Sequence, residues 1–351
     1  MELGISSFGE VVPDHRAGNA THAHERVQQL LAEIKLADEL SLDVFALGEH
    51  HRPDYVVSSP EVVLAAAAAL TKTIRLSSSV TVLSSADPVR VFQNFASLDL
   101  VSNGRAEIMA GRGSFIESFP LFGYDLKDYD DLFTEKLDLL VKLNQQERVS
   151  WRGTHRADIT NLGVYPRPYQ AQIPIWLAVG GTPASAVRAG QMNLPMTLAM
   201  LGGSPERFVP LVNLYRQSAQ KAGHVVETLP LAVNSHFYVA DDSQQAADEY
   251  FPMYQAMMNR VGRERGWAPL GRDQFEHLRE YGPLLVGSPQ QIIDKLLYFR
   301  ELFQPTRYLA QLISGPALPH DKLMHAIELY GTQIAPVIRK ELTAKPAVLT
   351  Q

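Results

Sequence analysis

Apolar positions along this chain follow two periods in turn. From His24 to Glu39 they fall at Val27, Leu30, Leu31, Ile34 and Ala37, the spacing of one helix face. Leu3 to Phe8, just before, reads as a strand, and Asp43 to Leu47 as the next one. Helix Pro60 to Leu70 leads to Ile74 to Leu83, where Ile74, Leu76, Ser78, Val80 and Val82 alternate as a strand does. Helix Pro88 to Ser102, strand Ala106 to Ala110 and helix Tyr129 to Leu143 follow. The second half continues with strand Ile175 to Val179, helix Pro183 to Met192, strand Leu194 to Ala199 and helix Pro205 to Ala222. Strand Leu231 to Val239 precedes a long helical stretch. Helix Pro289 to Leu302, strand Arg307 to Ile313 and a last helix from about Asp321 complete the pattern.

Eight strands alternating with helices imply parallel strands joined by crossovers, and eight repeats suggest closure into a (β/α)8 TIM barrel, an α/β fold. Helix starts agree. Ser59-Pro60, Asp87-Pro88, Thr182-Pro183, Ser204-Pro205 and Ser288-Pro289 each place a capping side chain before a proline at the first helical position. Ser288 with Gln291 fits a capping box. Asn103-Gly104 reads as a helix stop. The alternative, an open doubly wound sheet, calls for a Gly-x-Gly-x-x-Gly turn after the first strand, and Phe8-Gly9-Glu10-Val11 is not one.

Two segments interrupt the alternation, near 145–172 and 240–283. The first suggests a small hairpin or excursion. The second, rich in Met, Tyr, Arg and Gly, suggests either a helical decoration or a cover over the barrel mouth. The whole chain, 1–351, is expected to form a single domain with these inserts. It has no cysteine, which removes disulfides, thiolate nucleophiles and thiolate zinc sites. A formal net charge of −6 gives no basic field for nucleic acid. Met1-Glu2-Leu3-Gly4 lacks a signal-peptide pattern, and the longest apolar run, Val62 to Leu70, is too short to span a membrane. A cytoplasmic protein without nucleic-acid or membrane partners is expected.

Candidate chemistry lies at the carboxyl ends of strands, where such barrels act. Leu47-Gly48-Glu49-His50-His51-Arg52-Pro53 ends the second strand. Adjacent side chains on a strand point opposite ways, so one histidine at most faces the barrel mouth, as a general acid/base. Gly111-Arg112-Gly113 ends the fourth strand. Its glycines leave room for a ligand and its guanidinium suits a phosphate; the plain alternative is a tight turn with a surface arginine. After the fifth strand, Gly180, Gly181 and Thr182 lead into a helix whose free N–H groups suit an anion, or simply form a flexible turn and a cap. Ser77-Ser78-Ser79 gives either ordinary barrel packing or space for a flat ring. A metal-hydrolase barrel fits poorly: the fifth, sixth and eighth strands hold no His, Asp or Glu, and His236 stands alone on the seventh. No metal is expected.

These pieces together resemble the bacterial luciferase-like flavin-dependent monooxygenase family. The matching residues are Glu49-His50-His51; Ser79 to Val89 with Ala86-Asp87-Pro88-Val89-Arg90; Leu98-Asp99; Ser102-Asn103-Gly104-Arg105; and Gly111-Arg112-Gly113. Pro166-Arg167-Pro168-Tyr169-Gln170, Pro174-Ile175-Trp176, Gly180-Gly181-Thr182-Pro183, Leu285-Val286-Gly287-Ser288-Pro289 and Ile327-Glu328-Leu329-Tyr330-Gly331 follow in family order.

The resemblance implies a luciferase-like TIM barrel binding FMN, or in some branches a deazaflavin coenzyme, at its mouth. It assigns His50 as the catalytic histidine, with a pKa suited to neutral pH, and Arg112 to the flavin phosphate. Gly180, Gly181 and Thr182 are its loop of backbone donors. Ser79-Val80 falls where the family often has a non-prolyl cis peptide toward the flavin ring, and Phe8 is a looser match to the flavin and substrate wall. Gln93 and Asn94 replace the family's usual acidic residues, and Gly181 belongs to a Gly-Gly-Thr type, so light emission is not implied. The expected activity is a two-component monooxygenase. A separate flavin reductase supplies reduced FMN, O2 is the oxidant, a small organic molecule is the substrate and the enzyme is a homodimer. The alternatives are a deazaflavin-dependent oxidoreductase and a non-catalytic flavin-binding subunit.

Overall fold

The computed structural model describes residues 1–11, 20–113, 115–315 and 318–344. All eight expected strands are present: Glu2–Ser7, Val44–Leu47, Arg75–Ser78, Ala106–Gly111, Ile175–Val179, Met196–Ala199, Leu231–Val239 and Arg307–Leu312. They are parallel and alternate with helices, and the fold is a (β/α)8 barrel. The chain divides into two compact units. The amino-terminal unit comprises Ser6–Lys35 and Val44–Ala178, and the carboxyl-terminal unit Met1–Ile5, Leu36–Asp43 and Val179–Gln351.

In the amino-terminal unit the second to fifth strands pair in sequence order, with Val44 opposite Arg75, Leu76 opposite Ala106 and Ile108 opposite Ile175. Val44–Leu47 and Ala106–Gly111 are buried at every position, as parallel strands covered on both faces require. The run Ile74 to Leu83, expected as one strand, is two. Arg75–Ser78 stops at a cis peptide between Ser79 and Val80, and Thr81–Val82 then pairs separately with Ala110 and Gly111. Ser78 bridges the break. Its hydroxyl accepts from the Met109 N–H at 3.0 Å and the Thr81 hydroxyl at 2.9 Å, and donates to the Met109 carbonyl at 3.3 Å. Ser77 and Ser78 are fully buried, so these two serve packing and pairing and do not open space for a ring.

Several family-like motifs are helix ends. Asn103 closes helix Pro88–Ser102 in the left-handed region, φ 57°, with Gly104 following at φ 84°. The Arg105 guanidinium donates to the carbonyls of Ala68, Thr71, Ile74 and Ser102, the carbonyl-rich end that attracts a cation. Arg167 does the same for Leu143, Asn144 and Gln146. Buried Asp99 accepts from the Ala106 and Gln170 N–H groups. The insert near 145–172 is the expected hairpin, Arg148–Trp151 against Ile159–Gly163. Of the five proposed caps, Asp87 accepts from the N–H groups of Val89 and Arg90, and Gln291 accepts from the Ser288 N–H. The hydroxyls of Ser59, Thr182 and Ser204 make no capping bond, so proline and not the side chain marks those starts.

In the carboxyl-terminal unit Leu231–Val239 is central and buried throughout. Leu231 pairs with Met196 and Ala232 with Arg307. A short strand absent from the expected pattern, Leu285–Gly287, joins at Phe237 to Val239; three residues are too few to show a period. The insert near 240–283 forms helices Ser243–Arg265 and Arg272–Glu280. Tyr250 stacks on Tyr238 at 5.4 Å, Tyr254 stacks on Tyr250 at 5.5 Å, and Met253 lies against Gly315 beyond the eighth strand. The insert therefore sits at the carboxyl ends of its unit's strands, as a cover would. Tyr250, Met253 and Tyr254, however, are buried in that packing, and Arg263 and Arg265 are exposed to solvent. None of the described helices is long and apolar enough to cross a membrane.

Candidate active site

The amino-terminal unit builds a histidine into an aromatic cage. The second strand delivers Gly48, Glu49 and His50 at its carboxyl end. The His50 N–H donates to the Val57 carbonyl at 2.8 Å, and the following loop returns beside the end of the first strand, with Tyr55 opposite Glu10. Phe8 lies flat on the backbone of Gly48, where a Cβ would come within 2.3 Å of its ring. Only glycine admits Phe8 there, and Phe8 then stands edge-on to His50 at 4.6 Å. Tyr55 lies over the imidazole at 4.2 Å, and Phe115 meets it edge-on at 5.3 Å.

Inside this cage His50 is 8% exposed, and its Nε2 has no hydrogen-bond partner among the described residues. Burial, reinforced by the neighbouring charges of His51 and Arg52, pushes its pKa down to about 3. This corrects the expectation of an imidazole titrating near neutrality. His50 is held neutral here, with Nε2 available as a hydrogen-bonding group.

His51 takes the opposite direction. Its Nε2 is 2.9 Å from Glu49 Oε1, and its ring packs on Phe122 at 5.1 Å. Glu49 Oε2 accepts from the Val82 N–H at 2.8 Å. Glu49 thus ties the histidine pair to the segment just after Ser79-Val80. The Ser79 N–H donates to the Leu47 carbonyl, and Val80 packs onto Gly111, where a Cβ would lie 2.6 Å from its methyl group.

Arg112 follows Gly111 at the end of the fourth strand. Its Nη1 donates to Asp130 Oδ1 at 2.6 Å, and its guanidinium lies 5.4 Å from the centre of the Tyr129 ring. Asp130 is 72% exposed, so it is a partner that a stronger anion can displace. His50, Phe8, Ser79, Val80 and Arg112 all belong to this unit. Gly180, Gly181 and Thr182 belong to the other, where they form an open turn into helix Pro183–Gln191, with Gly181 at φ 127°. Tyr55, Phe115 and the role of Glu49 were missed from sequence. The available signal was an aromatic residue in each loop after the second and fourth strands. Among the described residues no group of three or more His, Asp or Glu could hold a metal ion.

The family model for luciferase-like monooxygenases matches residues 1–304. Limonene 1,2-monooxygenase of Rhodococcus erythropolis is 24% identical over 97% of this chain and 89% of its own length. Among solved structures, monooxygenase RslO1 from Streptomyces bottropensis superposes with TM-score 0.83 at 26% identity, covering 96% of this chain and 99% of that one. The oxygenating constituent of 3,6-diketocamphane monooxygenase from Pseudomonas putida, in complex with FMN, gives 0.75 at 20% identity over the same shares. The coenzyme F420 dependent tetrahydromethanopterin reductase of Methanopyrus kandleri gives 0.72 at 20%, again with 96% and 99% covered. With a match over most of its length, this chain belongs to the luciferase-like monooxygenase family of oxidoreductases.

Proposed function

We propose that this protein is an FMN-dependent monooxygenase of the two-component kind, a homodimer that receives reduced FMN from a separate reductase. Its substrate is a small organic molecule. The observation that carries this reading is the His50 Nε2, buried among three aromatic rings with no partner among the described residues. Leaving such an atom unsatisfied costs about 1–3 kcal/mol, a cost more readily kept where a ligand completes the site. The residues fit a flavin monophosphate: an arginine whose exposed counter-ion can yield to phosphate, an aromatic wall at Phe8, and a tight Val80–Gly111 contact beside them. The FMN bound to the 3,6-diketocamphane enzyme supports the cofactor, and the names of the relatives support oxygen transfer.

When bound, reduced FMN would supply the two electrons by which O2 delivers one oxygen atom to substrate and one to water. The chain's own part is to bind, orient and keep dry. Arg112 would hold the phosphate. Phe8 and the Ser79-Val80 turn would flank the ring system. Neutral His50 would offer Nε2 as a hydrogen bond to the reacting atoms in surroundings where water is scarce. Gly180, Gly181 and Thr182 are proposed separately as backbone donors to a phosphate at a helix start.

Titration of the apoprotein separates the cofactors. FMN should bind more tightly than riboflavin. Arg112→Ala should weaken FMN by about tenfold or more, the worth of one charge-assisted bond, and riboflavin far less. Asp130→Asn should tighten FMN by removing the competing carboxylate. Equal losses for both ligands would sink the phosphate assignment. Tight binding of the deazaflavin coenzyme alone would favour the second reading, for which the Methanopyrus structure is the relevant likeness.

A further inference from the structure

The segment from Phe115 to Phe122 lies over the His50 cage, with Phe115 edge-on to His50 at 5.3 Å and Phe122 edge-on to His51 at 5.1 Å. It contains the short helix Ser118–Phe122. Its outer side is apolar yet open to solvent: Ile116 is 56%, Leu121 63% and Phe122 51% exposed. Apolar area left in water contributes nothing to closure, so the position of the segment depends on a few specific contacts. Phe119 anchors it, fully buried and stacked on Tyr129 at 5.4 Å.

Towards His50 the contacts converge on Arg52. Its Nη1 donates to Glu117 Oε1 at 2.6 Å, and its guanidinium lies 4.5 Å over the Phe115 ring. Its Nε donates to Asp54 Oδ1 at 3.2 Å, and Asp54 is buried, which fixes the guanidinium from behind. The Arg52 side chain is only 12% exposed, so these charged contacts are screened less than a surface pair. Phe115, held in this way, supplies one wall of the cage.

We propose that Arg52 is a positioning residue whose clasp on Phe115 and Glu117 holds the Phe115–Phe122 segment over His50 and keeps water from its imidazole. The functional meaning rests on His50 being the reacting-site histidine, but the clasp is a property of the protein without cofactor. It can therefore fail or survive independently of the flavin reading.

Two variants of the apoprotein, Arg52→Gln and Glu117→Gln, test it by amide hydrogen exchange and by NMR titration of His50, assigned by its loss in His50→Ala. The charged and titratable groups around His50 are Tyr55 against its ring, His51 and Arg52 beside it in sequence, and their partners Glu49, Asp54 and Glu117. In both variants exchange over 115–122 should quicken by about tenfold or more, as expected for loss of a charge-assisted bond, while the barrel strands keep their protection. In both, the His50 titration should move upward from about 3 as water enters. The Glu117 variant discriminates. If Arg52 acted through its charge alone, removing its counter-charge would leave His50 where it is or push it lower. That result, or unchanged exchange over 115–122 in both variants, overturns the proposal. Arg52→Lys, which keeps the charge but loses the flat stack on Phe115, should fall between wild type and Arg52→Gln.

Discussion

Alanine at His50 is expected to lower oxygenation by about 10²–10³-fold while leaving FMN affinity nearly unchanged. The asymmetry follows from position. His50 stands among Phe8, Tyr55 and Phe115, whereas the cation assigned to phosphate is Arg112. Loss of the imidazole removes a hydrogen bond offered where charge develops, and opens a void that water can enter. Steady-state turnover alongside FMN titration checks the split. His51→Ala should act differently. It frees Glu49 Oε1 but leaves the bond from Val82 to Oε2, so its effect should be milder. An equal loss of turnover in both variants would show that the pair acts as one unit and that the distinction drawn between them is wrong.

Acidification is expected to weaken the fold through two buried histidines. His50 is pushed down to about 3 and His236 to about 4, both by burial, from an ordinary value of 6.5. His236 is 7% exposed and lines a small cavity together with Met200, Leu278, Pro283 and Leu284, with the Tyr254 hydroxyl 3.4 Å from its Nδ1. Between the folded and unfolded values the unfolded chain takes up a proton that the folded chain refuses. The stabilising contribution is thus complete above about 6.5 and is lost as the pH falls. Each histidine should account for about 2 kcal/mol between pH 7 and pH 5, at 1.36 kcal/mol per unit. Denaturant unfolding at the two pH values, in wild type and in His236→Asn, measures this. The variant should lose about 2 kcal/mol less on acidification; identical pH dependence would show that His236 titrates freely in the folded protein.

Much of the architecture was legible because helix and strand periods leave separate marks. Leu30, Ile34 and Ala37 are fully buried, as their spacing required, and all eight strands fell where apolar runs placed them. The third strand was misjudged because alternation continues through Ser78, Val80 and Val82 even though pairing breaks between them. Side-chain period does not report backbone geometry. The candidate site was read from His50 and Arg112, residue types whose chemistry is plain, and the structure places both in the amino-terminal unit. The cage was not. Tyr55 and Phe115 lie in loops without a period, and only tertiary contact brings them to one imidazole. The depressed His50 pKa escaped for the same reason, since burial of a loop-flanked histidine is a property of the assembled cage. In the insert near 240–283, Tyr250 packs against Tyr238 and Tyr254 against His236, partners that composition alone does not name.

The measurement that bears most directly on the account is mass spectrometry of products formed under ¹⁸O2. The protein would be supplied with reduced FMN and a panel of small apolar ring compounds. The account predicts a product carrying one ¹⁸O atom, formed with reduced FMN, absent without protein, and strongly diminished in His50→Ala. A product lacking ¹⁸O, or turnover of the same panel only with the reduced deazaflavin coenzyme, would contradict it.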